Sequence, residues 1–412
     1  MAIMEKEFHC KRDELTIRGM QYFPCPFEEK EKYPVAILCH GFTGNYRSME
    51  NYGRKFAELG YIAVGFDFCG GGALVQEDPV RSDGETTDMR ISTEVGDLSA
   101  VIDQVKGFPY ADLQRILLAG VSQGGFVAGL AAARRREEIS GLIMVYPALC
   151  IPDHARRGCL GGACYDPKEV PDRIDCGRSV LGKGFHDEVA GMDPFLELSA
   201  YGGRVLLIQG LEDGIVDYSY AVKARASYEK GQCRLQLVRN MGHSPDEGQF
   251  ESIFASIRQF LAGREEILSI RIIITHSEKL CDNGAEQCNL YFTGYCESPY
   301  FQGTVLPGGC DVRREDPGKG KAVRAEYTLE GLDCEGQRCR LHIVNQWGQE
   351  DWEPVIRTDS RALAWLNEAD LTAVLENGAG GPTVRIFAGW AGESLWVLPM
   401  TDQKGIVQDR KV

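Results

Sequence analysis

The chain has 412 residues, 43% of them hydrophobic and 25% charged, with a formal net charge of −15 at pH 7. That length exceeds one ordinary core and calls for two domains or three, and the composition is that of a globular protein. The negative charge makes nucleic acid and anionic membrane poor partners, and no apolar run reaches the roughly 20 residues of a membrane span. The first residues, Met1 to Cys10, lack a basic start followed by an apolar stretch, so a signal peptide is not expected. The 15 cysteines are odd in number and scattered, some within strand-like runs (Cys39, Cys69, Cys150). This reads as reduced thiols in a cytoplasmic protein.

In chain order, residues 8–23 carry β-rich apolar runs, and Glu28 to Lys32 form a charged turn. Val35 to Cys39 is an uninterrupted apolar run of strand length, the signature of a strand buried on both faces. It ends in His40-Gly41-Phe42-Thr43-Gly44-Asn45. A helix follows with Tyr52, Phe56 and Leu59 on one face, stopped by Gly60. Residues 61–67 form the next strand, Cys69 to Gly72 open a loop, and residues 93–106 fit an amphipathic helix. Ile116 to Gly125 then runs from apolar strand through Gly-x-Ser-x-Gly into a small-residue helix, and Gly141 to Tyr146 is another strand. Strands alternating with helices imply right-handed crossovers and a mostly parallel sheet. Residues 147–193 break this rhythm and read as an inserted lid with short elements of its own. Regularity returns with strand 204–209, helix 218–230, strand 234–238 and helix 249–262.

Beyond residues 263–266 the grammar changes. Strand-like runs recur at 268–275, 289–293, 303–306, 322–329, 340–344, 383–387 and 395–398, separated by turn formers, and only Ser360 to Glu376 reads as helical. The chain therefore divides into an α/β domain, 1–264, and an antiparallel β domain of barrel type, 265–412. There, Tyr291, Phe292, Tyr300, Phe301, Trp347 and Trp352 read as core packing in preference to a ligand cavity. Cys334/Cys339 and Cys281/Cys288 are badly spaced for zinc, so no metal is expected. The Gly318–Lys321 run lacks the rest of a phosphate-binding loop.

Gly-x-Ser-x-Gly alone is a weak signal in a chain with 48 glycines. Its context strengthens it. Between strand and helix, the pattern makes a nucleophile elbow with Ser122 at its apex, and a Cβ at Gly120 or Gly124 would collide across the turn. A serine hydroxyl needs a general base, usually a histidine oriented by a carboxylate, and in this architecture acid and base follow the serine in that order. Gly210-Leu211-Glu212-Asp213 comes just after one strand and Arg239 to His243 just after the next. The offset from the strand favours Asp213 over Glu212 as the acid, and His243 is the base. The backbone N–H groups of Gln123 and of Phe42 are the expected oxyanion donors.

Residues 14–262 resemble the α/β-hydrolase superfamily and, more narrowly, bacterial cinnamoyl (feruloyl) esterases. The matching stretches are His40 to Asn45, Phe66 to Phe68, Ser82 to Gly84, Gly120 to Gly125, Val170 to Arg173, and Gly210 with Asp213. The resemblance implies the triad Ser122, Asp213 and His243, the oxyanion donors Phe42 and Gln123, and a lid that covers the acyl pocket. Its ring-hydroxyl contacts, an Asp, a Gln and a Tyr, fall near Asp153, Gly161 and Phe185, so only the Asp persists. Residues 268–388 resemble a small bacterial β-barrel family of unknown function through Tyr291 to Gly294, Gly303 to Gly309, Arg324 to Leu329 and Ala364 to Leu366.

The reading is a cofactor-free serine esterase acting on hydroxycinnamate-type or other small acyl esters, with Asp153 and Phe185 at the substrate. An acyltransferase, peptidase or lactonase would use the same triad. A binding protein with a degenerate hydrolase domain is the reading from another class. The expected partner is a small-molecule ester, with no nucleic acid and no membrane, and the β domain is a candidate for homo-oligomerisation.

Overall fold

The structure, a computed structural model, describes residues 3–71, 81–229, 231–282, 285–316, 320–347, 352–378, 381–389 and 395–398. Parts of two loops singled out above, Gly72 of the first and Gly318 and Lys319 of the second, lie outside the described residues. The chain divides into two compact units, with breaks at Ile257/Arg258 and Ala391/Gly392, the last residues belonging to the first unit.

The first unit opens with an antiparallel hairpin, β1 (Met4–Arg12) and β2 (Leu15–Phe23). It continues with β3 (Tyr33–Cys39), α1 (Glu50–Glu58), β4 (Ile62–Phe66), α2 (Ile91–Lys106), β5 (Ala111–Val121), α3 (Gln123–Arg134) and β6 (Gly141–Val145). After the insertion come β11 (Arg204–Gly210), α7 (Tyr218–Ser227), β12 (Cys233–Val238) and α8 (Glu247–Ala262). The sheet order is β1-β2-β4-β3-β5-β6-β11-β12, and every pairing from β4 onward is parallel. Residues Pro34 to Cys39 and all of β4 and β6 are buried, as expected of apolar runs covered on both faces. The strand Leu395–Leu398 (β22), expected with the second domain, pairs in parallel with β12 of this sheet.

The insertion contains α4 (Ile151–Arg156), β7 (Cys159–Leu160), β8 (Ala163–Cys164), β9 (Arg173–Asp175), β10 (Val180–Gly182), α5 (Lys183–Val189) and α6 (Pro194–Leu198). Its strands form two small antiparallel pairs, β7–β8 and β9–β10. Leu160, Ile174, Leu181, Phe185 and Val189 are buried and belong to the same hydrophobic core as the sheet. The irregular sequence is thus anchored by spaced apolar residues while its short strands stay local.

The second unit contains β13 (Arg264–Asp282), β14 (Ala285–Glu297), β15 (Phe301–Val305), β16 (Gly309–Asp316), β17 (Gly320–Asp333), β18 (Arg338–Trp347), β19 (Trp352–Thr358), β20 (Leu371–Gly378) and β21 (Gly381–Gly389). It is a closed antiparallel barrel. The strands follow one another as β13-β21-β20-β19-β18-β17, β15 and β16 both bridge β17 to β14, and β14 returns to β13. Of these nine strands, β15 and β16 share one position, so eight surround the lumen at any level.

Three of these strands differ from the sequence reading. The helix expected over Ser360 to Glu376 is a single 3-10 turn, Ala364–Asn367, followed by β20. Leu371 and Ala373 point inward and pair with β21, and that non-local ladder outweighs the local helix propensity of Ala and Leu. Strand β16, Gly-Cys-Asp-Val-Arg-Arg-Glu-Asp, carries too few apolar residues to register as a strand. In β19, Pro354 argues against a strand, yet β19 meets β20 at a single position, Trp352 opposite Ala373, so most of that edge makes no ladder for a proline to break.

Candidate active site

The parallel order β5-β6-β11-β12 brings the C-terminal ends of these strands side by side. Ser122 follows β5 directly, Asp213 lies in the loop after β11, and His243 in the loop after β12. Three close backbone approaches make this possible. A Cβ on Gly124 would stand 2.3 Å from the His40 carbonyl oxygen, and one on Gly120 would stand 2.3 Å from the Gly124 oxygen. A Cβ on Gly210 would stand 2.1 Å from the Met241 oxygen, so glycine there lets the His243 loop settle against the end of β11.

The side chains meet. His243 Nε2 lies 2.9 Å from Ser122 Oγ, and His243 Nδ1 lies 2.9 Å from Asp213 Oδ2. Asp213 is buried, and its second oxygen accepts from the N–H groups of Ile215 and Val216, each at 2.9 Å. Gln209 Nε2 adds a further donor to Oδ2 at 2.9 Å. Burial alone would raise the Asp213 pKa. The bonds from His243, Val216 and Ile215 outweigh it and hold the carboxylate below its ordinary range.

Backbone strain collects at this edge. Among the described residues, the positive-φ residues other than glycine are Asp13, Thr43, Ser122, Tyr146 and Asn240, and all but Asp13 follow the C-terminal ends of β3, β5, β6 and β12. Ser122 has φ 52° and ψ −122°, a conformation an L-residue holds only where its surroundings impose it. The Tyr146 ring packs against the His243 imidazole with centroids 4.9 Å apart.

Gln123 begins α3, so its N–H has no acceptor within its own helix. The loop carrying Phe42 lies against Ser122: a Cβ on Gly41 would be 3.1 Å from the Ser122 Cβ. His40, at the start of that loop, is buried. Its Nδ1–H donates to the Gly41 carbonyl at 2.8 Å and its Nε2 accepts from the Phe68 N–H at 3.2 Å. Desolvation pulls its pKa down to about 4, so the ring is neutral and ties the β3 loop to the β4 loop. The lid reaches the same place, since a Cβ on Gly161 would be 2.9 Å from the Phe42 ring and 2.8 Å from Cys176 Sγ.

The sequence reading missed one group here. Glu94 is buried on α2, and the Gln123 side-chain nitrogen donates to both its oxygens, at 2.8 and 3.0 Å. Burial, reinforced by Asp97 and Glu188 and opposed by Gln123, pushes the Glu94 pKa up to about 8. The available signal was its position: Glu94 sits between Ile91 and Leu98 on the apolar stripe of α2, where a carboxylate does not belong without a partner.

The two expected substrate residues, Asp153 and Phe185, lie on α4 and α5 of the insertion. Asp153 accepts from Arg156 at 2.7 Å and from the Tyr220 hydroxyl at 2.9 Å, so both its oxygens are engaged. Phe185 is 1% exposed and packs in the core that the insertion shares with the sheet. Among the described residues no group of His, Cys, Asp and Glu is arranged to hold a metal ion, and no helix is long and apolar enough to cross a membrane.

Sheet order, elbow and the Ser–His–Asp juxtaposition define the first unit as an α/β-hydrolase by fold. The family described as Serine aminopeptidase, S33 matches residues 30–160. The uncharacterized protein YcjY of Escherichia coli (strain K12) is 30% identical over 131 residues, 31% of this chain and 40% of that protein. An uncharacterized 31.7 kDa protein from the traX-finO intergenic region of Escherichia coli is 34% identical over 104 residues, 25% of this chain and 34% of that protein. The chain thus spans under half the length of these curated relatives. Est1E from Butyrivibrio proteoclasticus, solved with ferulic acid bound, is 27% identical with a TM-score of 0.55, covering 62% of this chain and 98% of that one. DcsB, solved with a substrate analogue, is 18% identical with a TM-score of 0.50, covering 63% of this chain and 99% of that one, and shares the fold alone.

Proposed function

We propose that the protein is a serine carboxylic-ester hydrolase. The observation that carries this is the chain of contacts from Ser122 Oγ through His243 to Asp213, at 2.9 Å each. In this reading Ser122 Oγ attacks the ester carbonyl carbon while His243 Nε2 takes its proton. Asp213 holds the other ring nitrogen and stabilises the imidazolium. The N–H groups of Phe42 and Gln123 hold the oxyanion. The tetrahedral adduct breaks its C–O bond, and the alcohol leaves with the proton from His243. Water, deprotonated by His243, then attacks the acyl-enzyme and releases the acid. No cofactor takes part.

For the substrate we propose an aromatic acyl ester of hydroxycinnamate type. The support is the likeness to Est1E, whose structure holds ferulic acid. Asp153 is the proposed ring-hydroxyl contact and Phe185 a buried wall behind the pocket. A peptidase is the second reading, favoured by the description of the family matching residues 30–160. Purified protein and Ser122→Ala are to be assayed on methyl ferulate, short-chain nitrophenyl esters and aminoacyl nitroanilides. Ester turnover lost in the variant is expected. Ester turnover undiminished in Ser122→Ala overturns the proposal, and Ser122-dependent turnover confined to the anilides favours the peptidase.

A further inference from the structure

The second unit encloses a cavity that the chemistry at Ser122 does not use. Its volume is about 70 Å³, against roughly 10–15 Å³ for one water on the same measure. An eight-strand barrel is wide enough either to fill with side chains or to hold one small ligand. Phe292 and Trp352, expected to be core residues, line this cavity together with Ile272 and Val384.

One row of its wall runs across four neighbouring strands: Leu290 opposite Asp311, Asp311 opposite Ala325, and Ala325 opposite Asn345. Asn345 is 4% exposed, and its Nδ2 donates to the Tyr327 hydroxyl oxygen at 3.2 Å. Its Oδ1 is buried and has no hydrogen-bond partner. Turning the amide over passes the unmet bond to nitrogen. A ligand hydroxyl satisfies either orientation, because it both donates and accepts. Asp311 Oδ1 is likewise buried without a partner, while Oδ2 accepts from Arg313 at 3.0 and 3.1 Å. Two unmet acceptors in an apolar wall disfavour a carboxylate, and Arg313 already balances the Asp311 charge.

The cavity is reachable. Ile274, Val374 and Leu375 belong to its lining and are 50%, 39% and 38% exposed, so an apolar lip faces solvent. A wider space of about 600 Å³ shares Arg313, Trp352 and Leu375 with it, and adds Lys279, Glu286 and Glu315. The charged lining of that space therefore lies beside the apolar lining of the cavity.

We propose that the barrel binds a small neutral molecule with an apolar body and one hydroxyl, a phenol or alcohol that fills this cavity and extends toward the wider space beside it. The body lies against Ile272, Phe292 and Val384, and the hydroxyl meets Asn345. Calorimetric titration of the full-length protein with 4-ethylphenol, ethylbenzene and 4-ethylbenzoate tests this, on wild type, Asn345→Leu and Ala325→Phe. Saturable binding of 4-ethylphenol and none of 4-ethylbenzoate is expected. Asn345→Leu should weaken 4-ethylphenol by about three- to tenfold and leave ethylbenzene unweakened. Ala325→Phe, which fills the cavity, should abolish both. No binding to folded wild type means that the cavity holds water only, and overturns the proposal. So does binding that neither variant changes. If Ala325→Phe fails to melt cooperatively, a crystal of wild type soaked with 4-ethylphenol decides, and ligand found only outside the barrel overturns it. The readout is binding, so its failure is distinct from failure of the esterase reading.

Discussion

The Gln123 side-chain amide donates to both oxygens of Glu94, at 2.8 and 3.0 Å, inside the core behind the elbow. One residue thus anchors its side chain on α2 while its backbone N–H begins α3 beside Ser122. Replacing Glu94 by Ala strands the buried amide, which costs roughly 1–3 kcal/mol. Glu94→Ala should lower both the melting temperature and kcat on esters, with KM little changed, while Glu94→Gln should recover most of each. Equal kcat in Glu94→Ala and wild type would remove the positioning role.

Glu94 also sets a pH dependence. Its folded pKa is about 8, against an ordinary value of 4.5. The native state therefore binds the extra proton between those values. The stability it contributes is fully present below about pH 4.5 and is lost as pH rises through 8. Denaturant unfolding of wild type should weaken from pH 5 to pH 8, by an amount on the order of a few kcal/mol. Glu94→Gln should flatten that limb, and an unchanged slope in the variant contradicts the assignment.

His40 acts in the opposite direction. Burial lowers its folded pKa from 6.5 to about 4, so the unfolded chain binds the extra proton between those values. Its contribution is present above pH 6.5 and is lost as pH falls toward 4. His40→Gln should reduce the loss of stability between pH 6.5 and 4, read as melting temperature against wild type at matched pH.

The backbone at Ser122 predicts an inverted order of stability. At most positions alanine is more stabilising than glycine, because glycine frees the unfolded chain. With φ 52° at Ser122, the alanine Cβ keeps the strain and glycine relieves it. Ser122→Gly should melt above Ser122→Ala, by about 1 kcal/mol equivalent, with both inactive. The usual order, alanine above glycine, would falsify the claim of strain.

Asp153 tests the proposed substrate. Its carboxylate is held below the ordinary pKa range chiefly by the Tyr220 hydroxyl, against a smaller effect of burial, and is helped by Arg156. Asp153→Ala should raise KM for methyl ferulate severalfold and leave short-chain aliphatic esters unchanged. A parallel rise on both classes points to a packing defect of the lid.

Much of the first unit was legible because its information is local. Ser122, Asp213 and His243 each follow a buried apolar strand within a few residues, and strand, turn and helix signals lie next to each chemical group. The barrel was legible only as a class. Strand β16 is not evident in the sequence because it carries few apolar residues, and nothing near Asp311 along the chain announces that it lines a cavity. Strand β20 read as a helix until its pairing with β21 placed Leu371 and Ala373 on one inner face. Glu94 and Gln123 are 29 residues apart in sequence, and only the packing of α2 on α3 turns a misplaced carboxylate into a neutral hydrogen-bond partner. Residue order along the chain settles which groups stand at which strand ends. Distances, shared burial and unmet hydrogen bonds arise between elements far apart in sequence, so they exist only once the chain has closed on itself.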